Sequence, residues 1–111
     1  MFRTVHLAVV ALLLPGAVPF AQAGQAVERG RQVYAAEKCG VCHAIAGAGN
    51  KRGSLDGVGA KLSAVDIRQW LVAAAEMTAK TKATRKPLMK SYGHLTKDDV
   101  DALVAYLQTL K

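Results

Sequence analysis

Cys39-Gly40-Val41-Cys42-His43 is the stretch on which the reading of this 111-residue chain turns. Two thiols three positions apart, followed at once by an imidazole, have the C-x-x-C-H spacing at which a haem is attached covalently. The thiols can form thioethers with the two vinyl groups of the haem, and the imidazole is then held where it ligates the iron from one face. Three other uses of paired cysteines compete. A dithiol of the thioredoxin type belongs in a mixed strand-and-helix fold that the rest of the chain does not encode. A zinc site needs a further pair of ligands, and beyond the leader described below the one other histidine is His94. A plain disulfide explains neither the adjoining His43 nor the weak apolar core. One covalently attached haem c is therefore the expected cofactor, anchored by Cys39 and Cys42, with His43 as proximal iron ligand.

The other face of the iron has three candidates, Met77, Met89 and His94. Met89 sits in Lys86-Pro87-Leu88-Met89, where proline fixes its own backbone and pushes the preceding residue toward extended geometry. An extended segment can lay a thioether across the second face. Met77 falls at the end of an expected helix, where a packing role fits it better, and His94 reads as a surface or propionate-side histidine. Met89 is thus the expected distal ligand. Iron held between His43 and Met89 is coordinatively full with a raised potential, which suits outer-sphere electron transfer. Iron without Met89 would instead suit a gas sensor or a peroxidase.

Upstream, residues 1–23 carry Arg3, an apolar run from Leu7 to Leu14, a break at Pro15-Gly16 and the close Ala21-Gln22-Ala23. This is the pattern of a secretory signal peptide cleaved after Ala23. The run is far short of the roughly 20 residues that span a bilayer. The expected mature chain, Gly24 to Lys111, is one domain of 88 residues in an oxidising compartment, the periplasm. It has 14 basic against 8 acidic residues, a net of +6, and its only aromatics are Tyr34, Trp70, Tyr92 and Tyr106. A domain this short tends to need a staple or cofactor, and a large apolar group at its centre would supply the missing core.

Three segments read as helices and none as a strand ladder. The first, from about Ala26 to Lys38, puts Val27, Gly30, Val33 and Tyr34 on one face and leads into the cysteines. The second starts from Ser63 as cap, with Asp66 three residues on, and runs through Ile67, Trp70 and Leu71 to about Met77, its Ala73-Ala74-Ala75 run being strongly helix-forming. The third has Thr96 as cap, Asp98 and Asp99 in its first turn, and Val100, Leu103, Val104, Leu107 and Leu110 on one stripe. Between them lie a glycine-rich stretch, 44–62, and a lysine-rich one, 78–95. Loops this long need a function, and wrapping a flat cofactor is one.

With these residues in place, the chain resembles the class I cytochrome c family in its short soluble bacterial form, over essentially the whole mature segment. The likeness rests on Gly30 and Tyr34, Cys39-Gly40-Val41-Cys42-His43, Gly53, Leu55 and Gly57, Pro87-Leu88-Met89 followed by Tyr92, and Leu103-Val104-Ala105-Tyr106-Leu107. It implies an all-α fold of three main helices with long loops around one haem. It also implies a crossing of the first and last helices in which Gly30 lets the backbones meet while Tyr34 and Tyr106 pack around it. One departure stands out: Arg52-Gly53-Ser54-Leu55 lacks the proline that follows the glycine in the family, where a carbonyl receives the second ring N–H of the proximal histidine. The backbone of Gly53 or Ser54 is the expected acceptor here. Trp70 is placed near a haem propionate or in the core, and Tyr92 at the haem edge or as loop filling.

From Met77 to Lys97 there is no acidic residue, while Lys80, Lys82, Arg85, Lys86, Lys90 and Lys97 fall in that span. Charge of this kind beside a redox centre steers toward acidic docking patches on partner redox proteins, a membrane-bound oxidase or dehydrogenase among them; otherwise it serves solubility. No nucleic acid and no small-molecule substrate is expected, and the chain is expected to act as a monomer. The functional expectation is a one-electron carrier, not an enzyme, with an electron-accepting subunit of a larger oxidoreductase as the rival.

Overall fold

The computed structural model describes Gly16 and residues 19–111, so most of the segment read as a signal peptide lies outside the described residues. The architecture is helical: α1 (Pro19–Ala36), α2 (Val58–Lys61), α3 (Ala64–Val72), α4 (Ala74–Thr81) and α5 (Lys97–Gln108), joined by irregular loops. Among the described residues no helix is long and apolar enough to cross a membrane.

α5 forms as its sequence dictates. The Thr96 hydroxyl accepts from the Asp99 amide at 3.1 Å, satisfying one of the donors a helix start leaves open. The stripe Val100, Leu103, Val104 and Leu107 is buried, Leu103 to 1 % exposure, and these four join Val33 of α1 with Ile67 and Leu71 of α3 to make the core. α1 packs chiefly against α5. At their crossing, a Cβ added to Gly30 would fall 2.1 Å from the Ala102 carbonyl oxygen and 2.6 Å from the Tyr106 Cβ. Only glycine allows so close an approach, and Tyr34 and Tyr106 close over it edge to face, ring centroids 6.0 Å apart. Arg29 of α1 and Asp99 of α5 add a two-pronged ion pair at the surface.

Three features differ from the sequence reading. α1 begins at Pro19, runs without a break through Ala23 and Gly24, and stops at Ala36 instead of Lys38. Lys38 turns the chain with a left-handed φ of 55° before a short 3₁₀ turn, Cys39–Val41. The expected second helix is two helices, broken at Ala73 inside the alanine run. Intrinsic propensity loses there to tertiary bonds: Ala74 N–H donates to the Ser91 hydroxyl at 2.9 Å, and the Leu71 carbonyl accepts from the Tyr92 amide at 2.7 Å. The backbone groups that would have continued one helix are taken by the loop carrying Met89. Finally, a minimal antiparallel pair exists, β1 (Ala44–Ile45) with β2 (Ala48–Gly49), just after His43.

Candidate functional site

The 3₁₀ turn fixes the cysteines and the histidine. Cys42 N–H and His43 N–H both donate to the Cys39 carbonyl, at 3.1 and 2.9 Å, so the five-residue motif is a closed loop. β1 follows immediately, and Leu55 N–H donates to the Ala44 carbonyl at 2.8 Å, drawing the glycine-rich stretch alongside the motif. That contact brings the Gly53 carbonyl to 2.9 Å from His43 Nδ1. A carbonyl only accepts, so Nδ1 carries the proton and Nε2 keeps its lone pair. Of the two expected acceptors, Gly53 is the one used, and no proline is needed to place it.

Cys39, Cys42 and His43 line a cavity of about 710 Å³, within the range of about 300–1,000 Å³ typical of small-molecule and cofactor sites. Its walls are mostly apolar and include core residues Ile67, Leu71, Leu103 and Leu107. Met89, Trp70 and Tyr92 line the same cavity. The other two candidates for the distal position do not. Met77 is buried in the packing of α4 at 4 % exposure, and His94 is a surface residue whose Nε2 lies 3.0 Å from a Glu37 carboxylate oxygen.

The electrostatics fit a buried apolar group better than the competing uses of the motif. Burial, reinforced by the nearby Glu37 carboxylate, pushes the Cys39 thiol up to about 11. A thiol–disulfide exchange site needs the opposite shift. Among the described residues no group of three or more His, Cys, Asp and Glu is placed to hold a bare ion. Burial lowers the pKa of His43, partly offset by the bond to Gly53, and so favours the neutral ring, the form that ligates a metal. Tyr34 also lines the cavity; burial raises its phenol to about 12, and its buried hydroxyl has no partner among the described residues. Two thiols, an imidazole that burial keeps neutral and one thioether around an apolar pocket are a set of side chains suited to a covalently held haem.

A family model for cytochrome c matches residues 27–111. The chain belongs to the cytochrome c family. Covalently bound haem c is accordingly its cofactor, and haem-based electron transfer its chemistry. The match covers every element from the third turn of α1 to the chain's last residue, so the expected cytochrome c fold is borne out along with the cofactor. Comparison with curated proteins and with solved structures gave no match.

One residue of this site escaped the sequence reading. Arg85, counted there among the lysine-rich loop's surface charges, lines the cavity and donates through Nη2 to the Cys42 carbonyl at 2.5 Å. No local signal separates it from its neighbours Lys82 and Lys86. The contact depends on two loops more than forty residues apart meeting, which composition does not reveal.

Proposed function

We propose that this cytochrome c is a periplasmic one-electron carrier whose haem is anchored by Cys39 and Cys42 and ligated by His43 and Met89. The observation that carries the reading is that Met89, alone of the three distal candidates, lines the cavity that Cys39, Cys42 and His43 also line. The haem supplies reversible Fe(III)/Fe(II) chemistry when bound. The protein's part is to hold His43 in one tautomer through Gly53, to keep water from the iron with apolar walls, and to fill the sixth position so that no substrate enters. Trp70 and Tyr92, both on the cavity wall, contribute packing and an indole N–H and a phenol O–H on the haem's periphery.

Export follows from the reading of residues 1–23 as a signal peptide cleaved after Ala23. The acid-free span from Met77 to Lys97 is the docking face for acidic patches on redox partners, through a small and transient interface. Absorption spectra of the mature protein in both redox states, with a pyridine haemochrome assay, test the reading. Two thioether links, a methionine-to-iron charge-transfer band in the oxidised form that Met89→Ala abolishes, and no CO binding when reduced are the expected results. Rapid CO binding by the reduced native protein would move the assignment to a sensor or peroxidase.

A further inference from the structure

Arg85 is the residue at which the two sides of the cavity meet. It belongs to the loop that follows α4 and leads to Met89, and its guanidinium reaches back to the motif, donating to the Cys42 carbonyl. The same guanidinium lies against Gly53: a Cβ built there would be 2.1 Å from Arg85 Nη1 and 2.7 Å from Cζ. Gly53 is the residue whose carbonyl holds His43 Nδ1. One side chain therefore contacts the residue before the proximal histidine and the residue that orients it.

The loop has little else to hold it. Ala83 N–H donates back to Thr78, and at the far end Ser91 and Tyr92 bond to Ala74 and Leu71. Among the described residues, the bond from Arg85 is the one hydrogen bond that residues 84–90 make to the rest of the protein. Ser54, unlike a proline, leaves the segment after Gly53 free in φ. A planar guanidinium packed on Gly53 and bonded to Cys42 supplies a restraint there.

We infer that Arg85 is a positioning residue for the redox centre, clasping the Met89 loop to the His43–Gly53 pair and placing a positive charge beside that hydrogen bond. The inference rests on the proposed His43 and Met89 ligation. With the clasp in place, the Gly53 carbonyl stays on Nδ1 and the Met89 loop stays closed over the cavity. Its charge also disfavours the more positive, oxidised centre and raises the potential.

Two variants of the haem-loaded protein separate geometry from charge. Arg85→Lys keeps the charge and loses the planar fork; Arg85→Met keeps apolar packing and loses both. The measurements are the midpoint potential, the exchange rate of the His43 Nδ1 proton in the reduced protein, and the CO-binding rate. Arg85→Met should lower the potential by up to a tenfold change in the one-electron equilibrium, about 59 mV. It should also speed Nδ1 exchange severalfold and admit CO slowly. Arg85→Lys should retain most of the potential but show the faster exchange. If both variants keep wild-type potential, exchange and CO exclusion, the clasp is refuted. If Arg85→Met fails to fold, the Arg85→Lys exchange rate decides alone, wild-type exchange overturning the inference. A wild-type protein lacking the methionine band would instead refute the ligation on which the inference stands, before either variant is made.

Discussion

Gly30→Ala is the most direct test of the frame that holds the haem site. The new methyl would sit 2.1 Å from the Ala102 carbonyl oxygen and 2.7 Å from its carbon, both backbone atoms of α5, and 2.6 Å from the Tyr106 Cβ. None of these is the tip of a flexible side chain, so relief requires α1 and α5 to separate and the Tyr34–Tyr106 contact to open. Overpacking costs about 1–3 kcal/mol, and a backbone clash belongs at the top of that range. Alanine returns about 1 kcal/mol of helix propensity. The net is about 2 kcal/mol, or about 8–16 °C in Tm at about 4–8 °C per kcal/mol for a domain of this size. Gly93→Ala, where an added Cβ meets nothing within 4 Å among the described residues, is the control and should be close to neutral. Thermal and urea unfolding of the oxidised, haem-loaded proteins by far-UV circular dichroism, at matched haem content, gives the comparison. A Gly30→Ala protein as stable as wild type would refute the close crossing.

The proposed docking face predicts electron-transfer rates to an acidic partner that fall steeply as ionic strength rises; a rate flat with salt would discard steering. The Arg29 guanidinium beside Asp99, and Lys97 and Arg68 beside Asp101, hold both carboxyls below their ordinary 3.8. Depressed carboxyls contribute stability that is present above that value and lost as pH falls through the folded one. Urea midpoints should therefore hold from pH 7 down to about 5 and decline below 3.8, with Asp99→Asn and Asp101→Asn each flattening the decline slightly because both pairs face solvent. Thr96→Ala removes the cap of α5 and should cost about 1 kcal/mol, read from the urea midpoint at constant slope. A Cys39→Ser, Cys42→Ser protein, unable to form thioethers, should show no cooperative thermal transition by near-UV circular dichroism.

What the sequence made legible is what local chemistry determines. α5 carries its own cap, its own first-turn acids and a stripe of one period, so its start at Thr96 was readable, while its end was not: the stripe extends to Leu110 but the helix stops at Gln108. Gly30 and the tyrosines around it were readable through the family likeness, and the contact is there. The break at Ala73 was not, because three alanines say helix and the interrupting bonds, from Ala74 to Ser91 and from Tyr92 to Leu71, each span 17 residues or more. The start of α1 was missed for a different reason: residues 19–23 carry the small-residue pattern that closes a leader, and that pattern hides a helical start. Arg85 was hidden by its company, one cation among several in a loop.

The cavity explains why a reading that began at two cysteines also reached the fold. Ile67, Leu71, Leu103 and Leu107 are core residues and cavity wall at once, so the space they enclose is the centre of the domain. At about 24 cal/mol per Å³, leaving 710 Å³ unfilled would cost about 17 kcal/mol, more than the roughly 5–15 kcal/mol by which a domain is stable. Water entering at the mouth reduces that figure, yet half of it still matches an ordinary domain's whole margin. An apolar group of this size seated among these residues removes that penalty and completes the core. The four aromatic residues of the segment after Ala23 are too few to build a core by themselves, and three of them, Tyr34, Trp70 and Tyr92, line the cavity. The weak core and the haem motif are thus one physical statement made at two places in the chain.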